Sequence, residues 1–267
     1  MNASLAQTFD SDAQGYDAHR PGYPEQLFQT IFNFAQLEPD ARCLEIGAGT
    51  GQATQAMLAV GLSVEALEPG VQLAAELMKN LRHFPQLTIR QCRFEDFQSP
   101  AQMFDLIYSA SAFHWVPKRI AYRKAFDLLK PGGTLALFWH SFSVNRPNDP
   151  THQALQKLFE GFNFGMTELS HDPERYKRKQ NSLAKRGYSD VRTQIFRSEH
   201  LYPLEQFLGL LSTTFRFRML AREEQERLND AIQRVLSGGT RVLLDQTCDL
   251  YLGRRTAKPT VRDKIQA

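Results

Sequence analysis

The run Gly47-Ala48-Gly49-Thr50-Gly51 is the first place in this chain where residue types and spacing could do chemistry. It leaves the apolar segment Leu44-Glu45-Ile46 and enters a stretch of helical periodicity. Glycines at the exit of a first parallel strand let the backbone turn tightly and approach a ligand without side-chain clash. The following helix aims its first amides and the positive end of its dipole at the same point, which suits an anionic group. Glu68, at the end of Val64-Glu65-Ala66-Leu67 and followed by Pro69, is placed to accept hydrogen bonds from two ribose hydroxyls. Glu45 lies inside the apolar strand and needs a partner against its desolvation. A ligand carrying an ammonium or sulfonium would supply one; neighbouring backbone amides are the alternative. Position 52 is Gln, so the third glycine of the dinucleotide fingerprint G-x-G-x-x-G is missing, which weakens a pyrophosphate reading.

Three further groups bear on chemistry. His114, beside Trp115, either contacts a substrate and removes its proton, for which an imidazole pKa is suited, or packs with Trp115 to shape the pocket. Trp139 and His140 end a later apolar run and point to the same edge. Tyr16, Arg20 and Tyr23 form a candidate lid within a polar, aromatic N-terminal segment that reads as loop more than core.

The elements that must position these residues follow from periodicity. Strands are expected over 41–46, 63–67, 87–92, 104–109 and 134–139, with helices over 25–37, 52–60, 72–81 and 120–129 between them. Pro131-Gly132-Gly133 reads as a turn. This alternation is that of a parallel sheet covered on both faces. Residues 141–185 then read as helical and Phe-bearing, followed by a strand over 191–200, helices over 204–213 and 222–236, and a last strand over 241–252. The organisation expected is a lid segment (1–24), a core (25–140), a helical cap (141–189), the C-terminal part of the same sheet (190–256) and a tail (257–267).

Bulk properties bound the function. A chain of 267 residues, 42% hydrophobic and 23% charged, with net charge +3, is ordinary globular composition and lacks the strong basic excess of a nucleic-acid protein. No apolar run has the length of a membrane span and no signal peptide is visible, which points to the cytoplasm. Cys43, Cys92 and Cys248 share no metal-type spacing, so no metal is expected, and all three read as reduced and buried in strands.

Together these segments resemble the class I S-adenosylmethionine-dependent methyltransferases, most closely the small-molecule branch similar to ubiquinone/menaquinone-biosynthesis and trans-aconitate methyltransferases. The resemblance rests on Leu44 to Gly51, Leu67-Glu68-Pro69, Arg93-Phe94-Glu95-Asp96-Phe97, Phe104-Asp105-Leu106-Ile107, Ala112-Phe113-His114-Trp115 and Leu129 to Leu135. It extends to Tyr16 and Arg20-Pro21-Gly22-Tyr23-Pro24, so it spans roughly 16–140. It implies an α/β, Rossmann-like, seven-stranded sheet of order 3-2-1-4-5-7-6 with the last strand antiparallel. It implies S-adenosylmethionine as cofactor and a small-molecule methyl acceptor. The charge balance and the lack of an apolar span argue against nucleic acid or membrane as partner, and a monomer or weak homodimer is expected.

By the same resemblance Gly47, Ala48, Gly49, Thr50 and Gly51 face the methionine part of the cofactor, and Glu68 with Pro69 the ribose. Phe94 and Glu95 flank the adenine, while Ser109, Ala110 and Ser111 floor the methionine end with Trp115 nearby. Tyr16 or Arg20 meets the cofactor carboxylate, Glu45 its cationic groups, and His114 is the catalytic candidate. The Ser109 to Ser111 stretch is small and neutral, so backbone carbonyls are expected to hold the ammonium. Phe159, Phe162, Phe164 and Met166 form either an apolar substrate pocket or a cap burying its own aromatics. The basic run Arg175 to Lys179, with Lys185 and Arg186, touches acidic substrates or RNA phosphates, or is a solvated helix face. Outside this resemblance stand an NAD-dependent oxidoreductase on a similar sheet and a cofactor-binding regulator without turnover.

Overall fold

The computed structural model describes residues 9–162, 164, 173–239 and 241–256. A short helix α1 (Ala13–His19) and the amphipathic α2 (Glu25–Ala35) come first. Then follow β1 (Arg42–Ile46), α3 (Gln52–Ala59), β2 (Ser63–Leu67), α4 (Val71–Leu81), β3 (Leu87–Arg90) and β4 (Phe104–Ala110). A 3-10 turn (Phe113–Trp115) leads into α5 (Lys118–Leu128) and β5 (Leu129–Ser143). The rest comprises α6 (Pro150–Gly161), α7 (Pro173–Ala184), β6 (Tyr188–Tyr202), α8 (Leu204–Ser212), α9 (Phe215–Arg218), α10 (Arg222–Val235) and β7 (Val242–Arg255).

The strands build one seven-stranded sheet of order β3-β2-β1-β4-β5-β7-β6. Pairings from β3 to β5 are parallel, and β7 runs antiparallel to both β5 and β6. The expected fold, strand order and antiparallel last strand are therefore present.

Side-chain alternation along the strands divides the core. Cys43 of β1, Val64 of β2 and Phe138 of β5 pack with α2 and α3 on one face. Leu44, Ile46, Leu67 and Leu137 pack with α5 on the other. A third cluster joins Val242 and Leu244 of β7 to α6, α8 and α10. It contains Phe159 and Phe164, with Phe162 packed against it. These phenylalanines thus bury one another and are not an open pocket, while Met166, the tail 257–267 and residues 1–8 of the lid lie outside the described residues.

Three local expectations are corrected. Pro131-Gly132-Gly133 is an irregularity inside β5, where the β4 register jumps from Phe104↔Leu129 to Leu106↔Thr134 and Gly132 takes φ +80. Residues 13–19 are helical, closed at the N-terminus by the Asp12 carboxylate accepting from the Gly15 amide at 2.9 Å. Cys92 lies two residues beyond β3 and is half-buried, whereas Cys43 and Cys248 are buried as expected. Among the described residues no helix is long and apolar enough to cross a membrane.

Candidate functional site

The C-terminal ends of β1, β2, β4 and β5 open onto one cleft of about 560 Å³, within the range of small-molecule sites. This is the edge at which open parallel sheets bind ligands. Its geometry begins at the glycine loop. The amides of Gly47 and Ala48 donate to the Leu67 carbonyl at 2.9 and 3.0 Å, tying the loop to β2. Gly47 takes φ +73, and a Cβ there would stand 2.4 Å from the Ala112 Cβ. Gly47→Ala is therefore expected to cost about 1–3 kcal/mol through left-handed strain and overpacking, and to narrow the cleft. A melting curve and a ligand titration on the variant check both effects.

Glu68 is buried at the end of β2. Its Oε2 accepts from the Gly49 amide and its Oε1 from the Gly70 amide, both at 2.8 Å. Desolvation raises its pKa, opposed by those two amide bonds. Beside it the Asp10 carboxylate accepts from the Gln72 and Leu73 amides at the start of α4, at 2.8 and 2.9 Å. Phe94 and Glu95 complete this half of the cleft; Lys124 donates to the Glu95 carbonyl and lies over the Phe94 ring.

The half bounded by β4 and β5 is lined differently. Ser111, at φ +55, shares a 3.1 Å hydrogen bond with the Tyr23 hydroxyl and accepts from the His140 amide. A non-glycine residue held in the left-handed region marks a backbone constrained by its surroundings. Tyr23 stacks on His140 at 4.1 Å, and burial holds the His140 pKa down to about 3, with Arg20 and His200 adding to the shift. Trp139 Nε1–H donates to His114 Nδ1 at 3.1 Å. Since indole only donates, neutral His114 carries its proton on Nε2. Desolvation by the walls around it and the charge of Lys179 keep its pKa below the usual histidine value.

The N-terminal segment roofs this half. Phe9, Tyr16, Trp115 and Phe215 meet edge to face. Arg20 donates to the Thr213 carbonyl at 2.9 Å and lies over the Tyr16 ring, while its Nε is buried without a partner.

A family model described as a methyltransferase domain matches residues 44–137, the stretch that carries the loop, Glu68 and His114. This domain, with the methyltransferase relatives and structural neighbours below, supports an S-adenosylmethionine-dependent methyltransferase of class I. An uncharacterized methyltransferase of Schizosaccharomyces pombe is 22% identical over 233 residues, covering 87% of this chain and 88% of the relative. Two further curated relatives, from Schizosaccharomyces pombe and Mycobacterium bovis, are spanned over about half their length. Among solved structures, one from Anaeromyxobacter dehalogenans described as a type II methyltransferase superposes with TM-score 0.61 at 22% identity, covering 90% of this chain and 99% of that one. A phosphoethanolamine N-methyltransferase of Haemonchus contortus, in complex with phosphomonomethylethanolamine and S-adenosylhomocysteine, superposes with TM-score 0.55 at 14% identity, covering 92% and 57%.

In this methyltransferase the cleft brings together Tyr16, Arg20, Gly47, Gly49, Glu68, Pro69, Phe94, Glu95, Ala110, Ser111, His114 and Trp115. Five expected residues do not line it. Glu45 points to the opposite face of β1 from Ile46, where its Oε2 accepts from Thr54 Oγ1 at 2.6 Å and from the Tyr108 hydroxyl at 2.8 Å. Ala48 and Thr50 are buried beneath the loop. Gly51 takes φ +102 as the residue capping α3, and a Cβ there would meet Leu77 at 2.7 Å, so its glycine serves packing against α4. Ser109 is buried and donates to the Ile46 carbonyl. Sequence reasoning missed Phe9, Asp10 and Phe215, which reach the cleft from distant segments with no local motif. Gly70, in the β2–α4 loop, carried a usable signal, since it follows Glu68-Pro69 directly.

Proposed function

We propose that this cleft binds S-adenosylmethionine with its adenosyl end between Glu68, Phe94 and Glu95, and serves methyl transfer to a small-molecule acceptor at the β4–β5 half. The observation that carries the reading is the Glu68 carboxylate, held by two backbone amides at the lip of the glycine loop. The residues present fit the cofactor. The missing side chain of Gly47 lets Ala112 close against the loop, the ribose would meet Glu68, and the orphaned Nε of Arg20 is available to the cofactor carboxylate. The small, neutral Ala110 and Ser111 leave backbone carbonyls as the partners of its ammonium.

When bound, the cofactor supplies a methyl group already activated on a positively charged sulfur. The chain's own work is then alignment and exclusion of water, and alignment can contribute about 7–11 kcal/mol. Phe9, Tyr16, Trp115 and Phe215 cover the cleft. His114, with Nδ1 occupied by Trp139, offers Nε2–H and orients the acceptor as a donor; it does not take its proton. His114→Ala is expected to leave affinity for S-adenosylhomocysteine within about threefold while lowering turnover by about tenfold, the effect of one lost orienting hydrogen bond. In wild type the rate should show no inflection near pH 6.5. An inflection there that disappears in the variant would restore the base.

Incubation with methyl-tritiated S-adenosylmethionine and a metabolite extract tests the function itself. Label is expected in a small-molecule product. Oxidation of alcohols with NAD, without methyl transfer, would overturn the reading.

A further inference from the structure

Charge in the cleft is sorted by half. The carboxylates that line it, Asp10, Glu68 and Glu95, all belong to the β1–β3 side. At the β4–β5 side the polar lining is Arg20, Ser111, His114 and His140, none of which carries negative charge. Helix α7 adds a further cation at this edge. Buried Asp249 of β7 accepts from Arg175 and from the Tyr176 hydroxyl, which clamps the first turn of α7 to the sheet. Lys179, three and four residues on, falls on the same helix face. Its half-buried ammonium stands 4.1 Å from the Trp139 ring centroid and 5.5 Å from that of Tyr251. Lys179 thus sits behind the indole that holds His114, and its charge is felt by that imidazole. Among the described residues no carboxylate lies within ion-pair distance of it. The charges around it are Lys118, Arg175 and Arg186, which together with desolvation, the larger cause, hold its pKa down to about 8. A solvated helix face would leave such a lysine in water; here it lies half-buried against Trp139, an indole that lines the cleft.

We infer that Lys179 seats a negatively charged group of the methyl acceptor, which is therefore an anion bearing a carboxylate or a phosphate. The inference rests on the methyltransferase reading above. With Arg20 occupied by the cofactor carboxylate, Lys179 is the cation at this edge left to a second ligand, and partial desolvation strengthens its pull on an anion. The Nε2–H of His114 would donate to the same oxygen-bearing group.

The two tryptophans of the chain, Trp115 and Trp139, permit a test that needs no knowledge of the acceptor. In a Trp115→Phe background Trp139 is the sole indole, and its fluorescence is quenched by iodide, an anion, or by acrylamide, which is neutral. Adding Lys179→Gln is expected to lower the iodide quenching constant about fivefold, the effect of one charge at about 4 Å in water-like surroundings. Acrylamide quenching and S-adenosylhomocysteine affinity should not change. Equal iodide quenching in both proteins would overturn the inference. Separately, the metabolite extract is split on an anion exchanger before labelling. Acceptor activity is expected in the retained fraction; activity confined to the flow-through would overturn it. Phosphatase treatment then distinguishes the sources, since it abolishes retention of a phosphate ester and spares a carboxylate. Absent S-adenosylhomocysteine binding would strike the cofactor assignment instead, and the iodide comparison would still judge Lys179.

Discussion

Glu68→Ala is expected to weaken S-adenosylhomocysteine binding by at least about 100-fold, since two charge-assisted hydrogen bonds to ribose hydroxyls are worth about 1.5–3 kcal/mol each. The carboxylate also anchors the loop. Its oxygens accept from Gly49 and Gly70, so the truncated side chain leaves both amides to re-solvate and loosens the turn that approaches the ligand. Glu68→Gln separates the two contributions. An amide keeps one acceptor oxygen and the volume of the side chain, and affinity is expected to fall about tenfold, the equivalent of one such bond. Isothermal titration of both variants reads the difference. Affinity in Glu68→Ala within about threefold of wild type would remove the ribose assignment.

The second large effect concerns stability and pH, at Glu45. Its carboxyl is fully buried, and desolvation pushes its pKa up to about 8, against the pull of the Thr54 and Tyr108 hydroxyls. Its Oε1 has no partner. The folded-state pKa thus lies above the unfolded value of 4.5. The folded state keeps the proton longer, so the contribution of Glu45 to stability is full below about pH 4.5 and is lost as pH rises to about 8. One pKa unit corresponds to about 1.4 kcal/mol, so the loss across this window is of the order of a few kcal/mol. Glu45→Gln, which cannot ionise, is expected to flatten that part of the stability curve and to overtake wild type above about pH 8. Glu45→Ala should instead destabilise by about 2–4 kcal/mol, from the cavity and the two hydroxyls left unsatisfied. Denaturant unfolding at a series of pH values decides. Parallel curves for wild type and Glu45→Gln would mean that the carboxyl is ionised in the fold.

Glu45 also shows where reading from sequence stops. The apolar strand and its buried acid were legible, and so was the need for a partner. Period-two alternation, however, sends Glu45 and Ile46 to opposite faces of the sheet, and Ile46 is the one at the cleft. The partners were hydroxyls nine and 63 residues away in the chain, which no local pattern announces. Gly51 was likewise read as ligand-facing, because a glycine loop does not say which of its glycines meets a ligand and which admits a neighbouring helix. The parallel strands were legible, since each is a short apolar run bounded by a helical period, but the extension of β5 through Pro131-Gly132-Gly133 was not. The roof of the cleft was not. Phe9, Asp10 and Phe215 reach it only through tertiary contacts, and the basic run of α7, with Lys179 against Trp139, could not be distinguished from a solvated face until Asp249 fixed its rotation.

Calorimetric titration of the purified protein with S-adenosylhomocysteine tests the central claim most directly. The geometry at Glu68 and the glycine loop predicts one site of micromolar or tighter affinity, and no comparable heat with NAD. Undetectable binding of S-adenosylhomocysteine, or a preference for NAD, would contradict it.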